Sequence, residues 1–183
     1  MLPKEILFQT LRHETAGQTA WVPFAGIHAG KLLGYDATEV LTDADKLFAS
    51  LMEVNKLYKP HGQPVVFDLQ LEAECLGCEL VWAKNSPPSV ASHPLAEHME
   101  VPADSTIPSK EDGRLPLVLD VMRRMKAAVG DTTALYGLIC GPFTLASHLR
   151  GNDIFMDMFD DEDFVCSLLD YCARVGMRMA EYM

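Results

Sequence analysis

The sequence has little positive charge and no long hydrophobic run. Its 183 residues include 15 Lys and Arg against 26 Asp and Glu, which gives a net charge of −11. This balance argues against a nucleic-acid or anionic-membrane partner, because both attract basic proteins. No apolar run approaches the ~20 residues that span a bilayer, and the first residues lack the apolar region of a signal peptide. We therefore expect a cytoplasmic chain that binds neither nucleic acid nor membrane.

A disulfide framework is not indicated either. There are five cysteines, an odd number, so reduced thiols are expected rather than a disulfide framework. One Cys-x-x-Cys pair is present, at Cys75 and Cys78, and a zinc knuckle would need a second pair, for which His93 and His98 are the nearby candidates. The alternative is two buried thiols that flank a tight turn, and no metal site is predicted in this chain.

The hydrophobic pattern alternates between helix and strand. We predict helices at 3–12, 42–58 with Thr42 as N-cap, 115–129, 143–149 and two pieces within 152–183, the second from Asp160, and strands at 19–27, 65–69 and 134–140. Residues 79–110 are rich in Pro, Ser and His, which indicates a loop or short hairpin. One helix followed by three βα units predicts a parallel α/β architecture in a single domain spanning residues 1–183.

The joint between residues 134 and 151 is the most informative segment. Ala134 to Cys140 is apolar without alternation, which is typical of a strand covered on both faces of a parallel sheet. Gly141-Pro142 then ends the strand, because Pro142 suits the first turn of a helix. That helix begins at the carboxyl end of the strand, where α/β enzymes keep their reactive groups.

Candidate functional side chains follow the predicted strands. Asp68 ends the second strand, where it is either a catalytic or binding carboxylate or a structural one that caps a loop. His28 follows the first strand and His148 lies on the helix after the third, so they either face one another across a site or pack as hydrogen-bonded core histidines. Glu72 and Glu74 are predicted to form a solvated face rather than a carboxylate pair.

Two segments resemble the uroporphyrinogen decarboxylase superfamily. Val65 to Glu79 is similar to its strand-plus-turn, in which a strand ends in Asp and Ala-Leu-Gly follows, and Gly141 to Leu145 is similar to its Gly-(Ala)-Pro-Trp/Phe-Thr-Leu turn. The resemblance extends over essentially the whole chain and implies a (β/α)₈ TIM barrel with its site at the carboxyl ends of the strands. It implies catalytic roles for Asp68 and His148, and substrate contacts for His28, Gly141 and Phe143.

The superfamily has two chemical branches. In its decarboxylases the Asp matching Asp68 binds pyrrole NH groups, two Arg follow the first strand, and a Tyr stands where this chain has His148. Trp21 to Gly30 contains no Arg, which would leave a polycarboxylate substrate unpaired. The Gly141 to Leu149 and His28-Ala29-Gly30 sequences look more like the cobamide-dependent methyltransferases, which implies methyl transfer from a methyl-corrinoid protein to a thiol or folate. The alternative is porphyrinogen decarboxylation in porphyrin biosynthesis, on a small-molecule substrate.

A full barrel takes ~250 residues, so three βα units and a first helix imply an amino-terminal half barrel that is inactive alone. In the family, thiol-activating members hold zinc with a His-x-Cys pair and a later Cys in the carboxyl-terminal half, and no His-x-Cys occurs here. We expect zinc and a corrinoid only in the complete enzyme. A further alternative is a non-catalytic, truncated fragment that forms a homodimer, because half a barrel leaves sheet edges and residues such as Met156 and Met177 uncovered.

Overall fold

A computed structural model describes residues 1–66 and 68–183. The strands are Gly62–Pro64 (β1), Leu80–Val81 (β2), Ser89–Val90 (β3) and Ala134–Tyr136 (β4). The helices are Pro3–Leu11 (α1), His28–Lys31 (α2), Ala37–Thr42 (α3), Ala44–Tyr58 (α4), Leu71–Cys75 (α5), Leu115–Val129 (α6), Pro142–Arg150 (α7), Ile154–Asp160 (α8) and Glu162–Tyr182 (α9). The described chain is therefore rich in helix, with short strands between the helices.

The chain divides into two compact units. The first unit is Met1–Asp68, Ala83–Pro87 and Leu117–Leu138, and the second is Leu69–Trp82, Pro88–Pro116 and Ile139–Met183. No helix among the described residues has both the length and the apolar character needed to cross a membrane.

The first unit contains a parallel strand pair. β1 pairs with β4 in the register Gly62 to Ala134 and Pro64 to Tyr136. The prediction that the second and third strands are parallel is confirmed. The predicted range of the second strand is wrong, and the third begins at Ala134 as predicted but is shorter. β1 begins three residues before Val65, and β4 ends four residues before Cys140. The predicted strand 65–69 includes residue 67, which lies outside the described residues.

The prediction that the strand at 134–140 is covered on both faces is wrong, since the residues of β4 are half-buried rather than buried. The predicted strand at Thr19–Ile27 does not form either. Next to β1, the His61 N–H donates to the Trp21 carbonyl of this segment at 2.9 Å. Pro23 has no N–H to extend a ladder beyond this point. The apolar residues at 19–27 therefore lie near β1 without forming a strand.

Helices α4 and α6 form where the apolar spacing predicts them. On α4, Leu47, Leu51 and Val54 are buried, and Lys59 ends the helix in the left-handed conformation. The predicted cap Thr42 is wrong: Thr42 is the last residue of α3, and Asp43 caps α4, accepting hydrogen bonds from the Asp45 and Lys46 amides. Because α3, which was not predicted, extends to Thr42, the N-cap of α4 is the next residue, Asp43.

Replacing Asp43 with alanine is expected to lower the free energy of unfolding by about 1 kcal/mol, because two amides at the start of α4 lose their acceptor. Urea denaturation measures this change. Asp43→Asn is the matched control, since its side-chain oxygen can still accept, and it should recover most of the loss. Equal losses in both variants would contradict the capping role.

The second unit is built on helices. α7 packs against α9 and α5, and α8 packs against α9. α9 buries a stripe that includes Phe164, Leu168 and Val175, as the spacing predicts, and it begins after Asp161, whose side chain accepts from the Phe164 amide. The loop at 79–110 carries the short antiparallel hairpin of β2 and β3, in agreement with the loop or hairpin predicted there.

Candidate functional site

Asp68 lies in the first unit, four residues beyond the end of β1. Asp68 is 3% exposed, and Val65 and Val66, which lie between β1 and Asp68, are buried as well. The Val65 amide donates to the Tyr136 carbonyl at 3.1 Å, which holds this segment against the end of β4. A carboxylate is therefore buried just beyond the carboxyl ends of two parallel strands, the position at which α/β enzymes place functional groups.

His28 does not follow a strand, because no strand forms before it. It is the first residue of α2, and its Nε2 lies 2.7 Å from the Tyr58 hydroxyl, with the two rings stacked at 6.1 Å. In the sequence Tyr58 belongs to the apolar stripe of α4, and no motif marks it as the partner of His28. The pair gives His28 a fixed orientation on the first unit, whichever ring nitrogen carries the proton.

Tyr136, at the end of β4, is a second residue that the sequence analysis missed. Its hydroxyl is shielded from solvent and has no hydrogen-bond partner among the described residues. Burial raises the pKa of Tyr136, so the hydroxyl stays protonated. Its ring packs edge-on against Phe24, at 6.1 Å between centroids. A shielded hydroxyl without a partner is an unusual feature of a folded chain and is a candidate ligand contact.

In the second unit, the Gly-Pro joint starts α7 as predicted. Gly141 is the extended N-cap and Pro142 occupies the first turn. A Cβ at Gly141 would meet nothing within 4 Å, so the space beside this backbone is open. Phe143 is 39% exposed and packs edge-on against Phe155, at 5.8 Å between centroids. The start of α7 thus has open space beside Gly141 and an exposed aromatic ring at Phe143.

His148 lies near the end of α7, on the second unit. Its carbonyl accepts from the Cys78 thiol at 3.5 Å and lies 2.8 Å from Nδ1 of His93. Its own Nε2 is shielded and has no hydrogen-bond partner among the described residues. Burial, with a smaller contribution from His93, lowers the pKa of His148. The imidazole is therefore neutral at pH 7, the form that can accept a proton.

This lowered pKa predicts a pH dependence of stability. The unfolded chain binds a proton near pH 6.5, the usual pKa of His, whereas the folded chain binds it only at lower pH. Stability from this group is therefore complete above pH 6.5 and decreases as the pH falls below it. His148→Gln should lose less stability than the wild type between pH 7.5 and 5.5 in urea titrations, and identical losses would contradict a buried neutral His148.

The glutamates after Asp68 do not form the predicted solvated face. Glu72 is 1% exposed and accepts a hydrogen bond from the Cys140 amide at 2.7 Å. Glu74 is half-buried and accepts from the Arg114 guanidinium at 2.7 Å. Both carboxylates are bound by donors from other segments of the second unit, which compensates for their burial.

The five cysteines are free thiols. Burial raises the pKa of Cys78 to about 11 and that of Cys140 to about 12, so both are protonated at neutral pH. Among residues 1–66 and 68–183, no three His, Cys, Asp or Glu side chains lie together as a metal site would require. Zinc sites in proteins use three or four such ligands, so the described residues do not fit a zinc ion.

The predicted site residues are thus divided between the two units. Asp68 and His28 belong to the first unit, and Gly141, Phe143 and His148 belong to the second. The predicted approach of His28 to His148 stays a prediction. Each unit by itself carries groups able to bind a ligand or move a proton.

The sequence profile of the uroporphyrinogen decarboxylase (URO-D) family matches residues 3–183. The chain is 30% identical over 186 aligned positions to the methylcobamide:CoM methyltransferase MtbA of Methanosarcina acetivorans, covering 99% of this chain and 54% of that protein. It is 37% identical to the methylated-thiol–coenzyme M methyltransferase of Methanosarcina mazei over 63% of this chain and 32% of that protein. A solved methyltransferase from Methanosarcina mazei superposes with a TM-score of 0.85 at 22% identity, covering 100% of this chain and 56% of that one.

Proposed function

The chain belongs to the uroporphyrinogen decarboxylase family, and from this premise we propose that it is the amino-terminal part of a corrinoid-dependent methyltransferase. The observation that carries the proposal is that relatives matched over 99% of the chain are methylcobamide:CoM methyltransferases. The chain spans about half the length of these relatives. In this proposal it forms the first half of a (β/α)₈ barrel, and the activity belongs to the complete barrel.

The residues of the chain favour this branch over porphyrinogen decarboxylation. Trp21 to Gly30 contains no Arg, and guanidinium groups are the usual partners of several substrate carboxylates. The same segment instead carries His28, held by Tyr58. A net charge of −11 also disfavours a polyanionic substrate.

The proposed reaction transfers a methyl group to the sulfur of a thiol acceptor, with coenzyme M as the acceptor that the relatives' names indicate. A carbon–sulfur bond forms, the carbon–cobalt bond of the donor breaks, and the electron pair of that bond stays on cobalt. The thiol proton must leave, and we assign its acceptance to the buried Asp68 carboxylate. A positioned carboxylate can take up such a proton as a general base.

The remaining residues have binding roles in the proposal. The open backbone at Gly141 and the exposed Phe143 ring contact the substrate, and His28 orients it. The neutral His148 exchanges a proton. The methyl donor is a corrinoid bound to a partner protein in the cytoplasm, and the zinc expected for thiol activation would be held by the part of the barrel beyond this chain.

A second candidate, self-association of this chain, is favoured by the exposed apolar side chains of α8. Met156 is 62% exposed and Phe159 is 85% exposed. Sedimentation at increasing concentration tests it, with Phe159→Glu as the variant that should restore a monomer. A monomeric wild-type chain at all concentrations would exclude this candidate.

The branch is tested with an assembled pair: this chain and the part of the Methanosarcina acetivorans methyltransferase that follows the matched region. The pair is offered methylcobalamin with coenzyme M, and separately uroporphyrinogen. We expect loss of the methylcobalamin absorbance and formation of methylated coenzyme M, with no carbon dioxide released from uroporphyrinogen. Decarboxylation without methyl transfer would support the porphyrin alternative instead.

A further inference from the structure

The second unit contains a cavity of about 330 Å³ that no proposed role uses. Its wall is mostly apolar and is formed by Leu76, Pro94, Leu95, Pro102 and Leu149. Of the described residues, none that lines the cavity carries a charged side chain. The volume lies within the range of small-molecule sites, and it is far above the ~10–15 Å³ that is enough to hold one water.

Water is a poor occupant of this cavity. An ordered internal water needs two to four polar partners, and the polar side chains of the lining are those of Thr106, Tyr171 and Cys75. The Cys75 thiol is already directed to the Asp112 carbonyl at 3.5 Å. Burial raises the pKa of Cys75 to about 12, so this thiol adds no charge. An apolar molecule would therefore displace weakly held water with a gain in free energy.

The hydroxyls of Thr106 and Tyr171 determine whether a ligand must donate or accept a hydrogen bond here. Thr106 donates its single hydroxyl hydrogen to the Ala103 carbonyl at 2.7 Å. The Tyr171 hydroxyl lies 2.8 Å from Thr106 Oγ1 and must be the donor of that bond, because the Thr106 hydrogen is in use. Both hydrogens are then occupied, and the two oxygens keep lone pairs. The cavity thus accepts hydrogen bonds and has no hydroxyl hydrogen left to donate.

We propose that this cavity binds a small, neutral, mainly apolar molecule that carries one hydroxyl or N–H donor. The donor of the ligand bonds to the Thr106 and Tyr171 oxygens, and its apolar body fills the space between Leu76, Pro102 and Leu149. Charged ligands are excluded because the wall offers them no counter-charge. The site does not depend on the proposed methyl transfer.

The test is a ligand-observed NMR titration of the 183-residue chain with phenol, and with toluene, which has the same size but no donor. Saturable binding of phenol at one site is expected. Thr106→Val combined with Tyr171→Phe removes both oxygens with little change of shape. The double variant should bind phenol about fivefold more weakly, with toluene binding unchanged, because one net hydrogen bond contributes about that factor.

A second variant tests the location of the site. Leu76→Trp fills the cavity and should abolish the binding of both compounds, whereas Leu57→Trp, at a 52% exposed position of α4 outside the lining, should leave both unchanged. Melting curves show whether each variant is folded. If Leu76→Trp does not fold, the Thr106→Val and Tyr171→Phe double variant still tests the proposal. Absence of saturable binding, binding retained in folded Leu76→Trp, or an unchanged phenol-to-toluene ratio would each overturn the proposal.

Discussion

Replacing Arg150 with alanine is expected to lower the free energy of unfolding by about 3–5 kcal/mol, since it breaks a buried ion pair and leaves one charge behind. Arg150 Nε lies 2.6 Å from Oδ2 of Asp157, and both side chains are 9% exposed. Its Nη1 also donates to the carbonyls of Leu95 and Ala96, at 2.7 and 2.9 Å. The guanidinium therefore joins the end of α7 to α8 and to the loop beside it, and chemical denaturation should show the loss.

The matched control is Arg174→Ala. Arg174 forms an ion pair of similar length, 3.0 Å, with Asp104, but its side chain is 41% exposed and that of Asp104 is 66% exposed. Solvent screens such a pair, so its loss is expected to cost about 0–1 kcal/mol. Equal effects of the two substitutions would show that the buried network of Arg150 does not stabilise α7.

Replacing Asp68 with asparagine is expected to reduce methyl transfer by the assembled pair at least about 100-fold, since an amide cannot accept the proton that a positioned carboxylate accepts. Asn keeps the shape and one acceptor oxygen, so a purely structural Asp68 would change stability more than rate. The measurement is the initial rate of methylcobalamin loss, together with the midpoint of urea unfolding for each protein.

Asp170→Asn, at an exposed position of α9, is the control for loss of one negative charge and should leave the rate unchanged. A folded Asp68→Asn pair that retains the wild-type rate would remove Asp68 from the proposed mechanism. A rate that falls in proportion to the folded fraction would assign Asp68 a structural role only.

The sequence predicted those elements whose signals are local. The Gly141-Pro142 joint fixes the start of α7 through the proline ring, and the stripe of α9 follows from helical spacing alone. The parallel relation of β1 and β4 could also be predicted, because helices separate the strands along the chain. The family was predictable for the same reason: its two motifs are short, contiguous turns.

What the sequence could not predict depends on contacts between distant segments. The His28 partner is Tyr58, thirty residues away, and the Glu72 partner is the Cys140 amide, sixty-eight residues away. Apolar composition at Thr19–Ile27 predicted a strand, but strand formation depends on N–H groups facing a neighbour, and Pro23 lacks one. The shielded Tyr136 hydroxyl could not be predicted either, because Tyr136 lies within an apolar run and its environment depends on the fold.

The most direct test of the account is a titration of this chain with the remaining part of the Methanosarcina acetivorans methyltransferase, with methyl transfer from methylcobalamin to coenzyme M as the readout. The relative's own amino-terminal part, titrated in parallel, is the positive control. We predict no activity from either part alone and a rate that rises and saturates at one copy of each. A positive control that is active, beside a folded chain that gives no methyl transfer at any ratio, would contradict the account.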